Sequence, residues 1–90
     1  MNLNDLAEIL SEMYENAEYE YKEAMIHLFG IRFALEIKEG GFNASKIIEH
    51  ANKNREVIKP SCYSEINKGI KLAEFVIDKE KLRDIFISIL

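Results

Sequence analysis

The chain has 90 residues, 48% of them hydrophobic, a formal net charge of -4, one proline and four glycines. That length suits one compact domain rather than two. The apolar content excludes a disordered chain, and the glycines and proline are too few for a sandwich of many short strands. The lone Cys62 excludes an internal disulfide and most cysteine-based zinc sites, which favours a reducing compartment. The acidic N-terminal stretch lacks the order of a signal peptide, and no apolar run nears the roughly 20 residues that span a bilayer. The expectation is a cytoplasmic, all-α domain over residues 1–90, with no membrane contact.

Charge is unevenly spread. Residues 1–20 carry Asp5, Glu8, Glu12, Glu15, Glu18 and Glu20 with no lysine or arginine. From 46 to 71, Lys46, Lys53, Arg55, Lys59, Lys68 and Lys71 outnumber Glu49, Glu56 and Glu65, a net +3 with His50 beside it. A basic middle can meet an anionic partner even when the whole chain is acidic.

In chain order, the first helix is expected from Asp5 to about residue 17. Asp5 would cap it, with Glu8 completing a capping box. Leu6, Ile9, Leu10, Met13, Tyr14 and Ala17 share one face, with glutamates opposite. The segment "YEYKEAMIHLFGIRFALEIKEGG" reads as one long helix ended by Gly40 and Gly41. Its main stripe is Tyr21, Ala24, Met25, Leu28, Ile31 and Leu35, with Ile26, Phe29, Phe33 and Ile37 as a shoulder. Gly30 costs this helix roughly 1 kcal/mol against alanine, which suggests a close helix crossing there.

"FNASKIIEHAN" reads as a short helix capped by Asn43 or Ser45, with Ile47, Ile48 and Ala51 inward. "KNREVIKPS" has no helical stripe, and Pro60 disfavours a helical Lys59, so it is a loop with Val57 and Ile58 tucked in. Ser61 is expected to cap the next helix, 61–76, whose Ile66, Ile70 and Ala73 face inward and whose Gly69 permits a close backbone approach. Asp78 opens the last helix, with Leu82, Ile85, Phe86 and Ile89 in a stripe. The architecture expected is a compact bundle of four to five helices with a helix-turn-helix-like tandem pair at 44–53 and 61–76.

Catalytic and metal patterns are missing. His27 and His50 lack the spacing of a zinc motif with each other or with Cys62, so His27 is expected in or beside the core and His50 on the surface. Cys62 lies near a helix start, which would lower its thiol pKa, but nothing marks a base to partner it. The glutamates suggest a solvent face, and Gly40-Gly41 is no phosphate cradle. The tyrosines at 14, 19, 21 and 63 read as core and boundary residues. No enzyme, cofactor or metal is expected.

The exposed flank of 61–76 would carry Ser64, Glu65, Asn67, Lys68 and Lys71. A helix of this size fits the major groove of double-stranded DNA. Asn67 suits adenine, and Lys68 and Lys71 suit guanine or phosphate. Ser61 and Ser64 could hold a phosphate at the helix start, flanked by Lys46, Lys53, Arg55 and Lys59. Glu65 is the discordant member, and the connection is longer than a tight helix-turn-helix turn.

The runs "AMIHLFGIRFALEI" and "EINKGIKLAEFV" resemble small prokaryotic proteins and domains described as helix-turn-helix-like, over residues 8–77 or so. The resemblance implies an all-helical domain of DNA-binding type with the helix from Ser61 to Val76 as the reading element. A homodimer on a two-fold site is the expected working form, with Ile85, Phe86, Ile89 and Leu90, or the apolar stripe of the first helix, as its contact. The alternative is an acidic protein–protein interaction module, an adaptor or inhibitor, that engages a basic partner through Glu12, Glu15 and Glu18.

Overall fold

A computed structural model describes the backbone of residues 1–54 and 57–89, and the side chains of these except Leu82 and residues 86–89. Six helices follow one another: α1 (Leu3–Asn16), α2 (Lys22–Arg32), α3 (Ala34–Gly40), α4 (Ala44–Ala51), α5 (Tyr63–Val76) and α6 (Lys79–Ile89). Single 3-10 turns at Tyr19–Tyr21 and Pro60–Cys62 lead into α2 and α5. There is no strand among the described residues.

Helix starts follow capping chemistry, with two corrections to the sequence reading. Asn2, not Asp5, caps α1. Its Oδ1 accepts from the Asp5 N–H, and the Asn2 N–H donates to Asp5 Oδ2, both at 2.9 Å. Asp5 therefore plays the part expected of Glu8. Ser61 does not cap α5, which has no side-chain cap, and instead sits in the 3-10 turn, whose backbone turns at Pro60. Asn43 caps α4 by accepting from Lys46 N–H at 2.8 Å, and Asp78 accepts from Glu80 N–H at 3.0 Å at the start of α6.

The long helix expected over residues 19–41 is broken. Phe33 leaves helical geometry (φ -107°, ψ 16°), so α2 and α3 are separate, and the described residues form six helices instead of the four to five expected. The break changes which face is buried. Ile26, Phe29, Phe33 and Ile37, read as a shoulder, form the core, while Tyr21, Ala24, Leu28 and Leu35 of the expected main stripe are exposed. Leu6 and Leu10 of α1, Ile47 and Ile48 of α4, Ile66 of α5 and Ile58 of the loop complete that core. Each such side chain removed from water contributes about 1.5–3 kcal/mol.

The most extensive helix–helix contact joins α2 to α5. It is made by two glycines. A β-carbon at Gly30 would run into the Ile66 carbonyl oxygen and lie 3.1 Å from Gly69 Cα. One at Gly69 would meet the His27 carbonyl oxygen and lie 3.0 Å from Gly30 Cα. α1 packs on α2 and α4, and α4 on α5, so both halves of the chain are organised around this crossing.

The connection between α4 and α5 is ordered by one side chain. Asn52 Oδ1 accepts from Ile58 N–H at 3.0 Å and from Val57 N–H at 3.2 Å, and its Nδ2 donates to the Ile58 carbonyl at 2.6 Å. The loop is thereby folded back so that Ile58 is buried and Val57 half-buried, as the sequence suggested.

Two outcomes follow from these packings. Gly69→Ala should lower the melting temperature, because the overpacking cost of about 1–3 kcal/mol exceeds the roughly 1 kcal/mol of helix propensity gained. An unchanged or raised melting temperature would refute the close crossing. Asn52→Ala, which strands the Val57 and Ile58 amides, should cost about 1–3 kcal/mol in urea unfolding. It should also speed hydrogen exchange at those two amides first.

Candidate nucleic-acid interface

α5 divides into two flanks. Ile66, Gly69 and Ala73 are buried and Ile70 half-buried, as their three- and four-residue spacing requires. On the other flank Asn67, Lys68 and Lys71 are exposed and Ser64 is half-buried. Ser64 lies three and four residues before Asn67 and Lys68, and these lie four and three residues before Lys71, so the four form one contiguous patch. The Ser64 hydroxyl donates to the Ser61 carbonyl at 3.1 Å, which fastens the first turn of the helix.

Glu65 is a correction. It was expected on the outward flank, but its side chain is only 19% exposed and turns toward α2, where its Oε2 lies 2.8 Å from His27 Nε2. Its other oxygen, Oε1, lies 3.4 Å from Lys68 Nζ. His27 stands at the core boundary, as expected. The discordant carboxylate is thus held between the crossing helices, with Lys68 reaching back to it.

The remaining described lysines are spread over different parts of the surface. Lys46 is exposed on the first turn of α4 and pairs with Glu49 at 3.3 Å. Lys53 is exposed in a groove of about 410 Å³ that it shares with Glu8 and Glu12 of α1 and with His50. Lys59, also exposed, lines another groove with Tyr14, Lys22, Glu23 and Cys62. Ser61 faces α4 across a cleft of about 730 Å³ lined also by Ser45, Glu49, Asn52 and Tyr63. Arg55 lies outside the described residues.

Three expectations about single residues change. His50 is half-buried rather than on the surface, and its Nδ1 is buried with no hydrogen-bond partner. Tyr19, Tyr21 and Tyr63 are exposed; only Tyr14 is a boundary residue, with Lys22 Nζ 4.7 Å above its ring. The Cys62 thiol is pushed up rather than down, first by burial and then by the Glu23 and Glu65 carboxylates, which outweigh the opposing Lys59 charge and a hydrogen bond with the Lys59 backbone. Among the described residues no group of three or more His, Cys, Asp or Glu side chains could hold a metal ion. No helix among them is long and apolar enough to cross a membrane.

Sequence reasoning missed two features of this surface. The His27–Glu65 contact joins residues 38 positions apart and leaves no local signal. Leu72 and Phe75, exposed one turn beyond Lys68 and Lys71, extend the patch with apolar side chains. Their four-residue spacing from the lysines was a usable signal.

No curated protein and no solved structure matches the chain. A family profile, described as an HTH-like domain, matches residues 2–79, which takes in α1 to α5 and the first residue of α6. With that match over most of its length, the chain belongs to the helix-turn-helix-like (HTH-like) domain family.

Proposed function

We propose that this chain is a DNA-binding regulatory protein that sets α5 in the major groove of double-stranded DNA and works as a homodimer. The observation that carries the reading is the exposed patch of Asn67, Lys68 and Lys71, opposite a buried flank, on a helix of an HTH-like domain. Asn67 offers a donor and an acceptor to adenine, and Lys71 takes guanine or phosphate beside Lys68. Ser61 and Ser64 serve a phosphate at the start of the helix. Lys46, Lys53, Arg55 and Lys59 are backbone contacts in this reading, and Lys46, Lys53 and Lys59 each adjoin in the chain a residue that lines the cleft holding Ser61.

A second copy would be engaged through the C-terminal end. Phe75, Val76 and Ile77 are exposed at the end of α5, and Ile85 is 38% exposed on α6. Phe86, Ile89 and Leu90, the other members of the proposed dimer contact, have side chains outside those described.

The alternative, an acidic interaction module, has its own support. Glu8, Glu12 and Glu15 are exposed along α1 and Glu18 follows them, a surface suited to a basic protein partner. Charge reversal at Glu12, Glu15 and Glu18 would then abolish capture of that partner, and no duplex would bind even at about 50 mM salt.

The reading predicts that Lys68→Glu with Lys71→Glu weakens binding to a pool of random duplexes by roughly 10–100-fold at low salt and flattens the salt dependence. Fluorescence anisotropy measures both. Unchanged binding by the double variant would mean that this flank does not face DNA.

A further inference from the structure

We infer that Glu65 is a built-in restraint on the α5 surface, competing with DNA phosphate for Lys68, and that His27 governs its strength. The inference rests on the proposed DNA-binding role of α5. Each Glu65 oxygen has one partner: Oε2 meets His27 Nε2 at 2.8 Å and Oε1 meets Lys68 Nζ at 3.4 Å. The carboxylate is largely covered, while the Lys68 side chain is 63% exposed and free to swing outward. A phosphate reaching α5 must draw Lys68 from Glu65, or accept a cation whose charge a neighbouring carboxylate has already answered.

His27 sets the balance by its proton count. A neutral imidazole facing an ionised carboxylate through Nε2 carries its proton there and donates it. His27, Glu65 and Lys68 then sum to zero charge. With a second proton on the imidazole the three sum to +1, His27 answers the carboxylate, and Lys68 is released toward solvent. Binding of an anion therefore strengthens with that second proton, and so as pH falls. The other ionisable groups at this junction are Glu23, one turn before His27 on α2, and Cys62 and Lys59 at the entry to α5.

The test is duplex binding by wild type, Glu65→Gln, Glu65→Gln with Lys68→Gln, and His27→Gln, followed by anisotropy at low salt from about pH 8 to about pH 6. Glu65→Gln should bind roughly fivefold more tightly at the upper pH. Its salt slope should steepen by up to about 0.9, one added phosphate contact. Adding Lys68→Gln should erase that gain. Wild type should tighten as pH falls more than either Glu65→Gln or His27→Gln, both of which retain His50. Melting curves establish that each variant is folded, and if His27→Gln is not, Glu65→Gln carries the pH comparison.

The restraint is refuted if wild type binds and Glu65→Gln matches it. It is refuted equally if the gain survives loss of Lys68, or if the pH profiles coincide. If neither wild type nor Glu65→Gln binds any duplex, the DNA-binding reading falls together with it.

Discussion

Two glycines meeting backbone to backbone set the geometry of this domain. Gly30 on α2 and Gly69 on α5 approach so closely that neither position has room for a single added carbon. Without side chains at the crossing, the axes come together and the carbonyls of His27 and Ile66 become part of the packed surface. Helix propensity argues against glycine within both helices, so the packing contact must outweigh that local cost. The crossing also fixes the rotation of α5 about its own axis. With Gly69 against α2 and Ile66 in the core, Asn67, Lys68 and Lys71 fall on the exposed flank.

The same crossing brings polar groups together. His27 and Glu65 lie one turn before the two glycines on their respective helices, and their side chains meet at 2.8 Å. A carboxylate that would weaken a phosphate-facing surface is turned into a tether between helices, with Lys68 as its exposed partner. Structural support and surface charge are therefore joined in one side chain. The lysines elsewhere are less concerted, since Lys53 stands near the carboxylates of α1 and Lys46 pairs with Glu49.

Asn52 does for the connection what the glycines do for the helices. A tight helix-turn-helix uses a turn of three or four residues, whereas α4 and α5 are joined by a longer segment. Three hydrogen bonds from one amide fold that segment back and seat Ile58 in the core, so α5 is held at both its start and its middle. Length in the loop has not loosened the pair.

The sequence by itself determined the class of fold, the spans of α1, α4 and α5 to within a few residues, the inward Ile66 and Ala73, the buried Ile58 and the close approaches at both glycines. These follow from periodicity and from chain stereochemistry, which act over a turn or two. Tertiary structure decided what depends on distant neighbours. The break at Phe33 rotated the buried face of the second segment from Leu28 and Leu35 to Phe29, Phe33 and Ile37. That segment is apolar nearly all round, so its pattern could not rank one face above another, and only the packing against α1 and α5 did. Glu65 could not be placed from its own helix either, because the partner that draws it inward lies on another element.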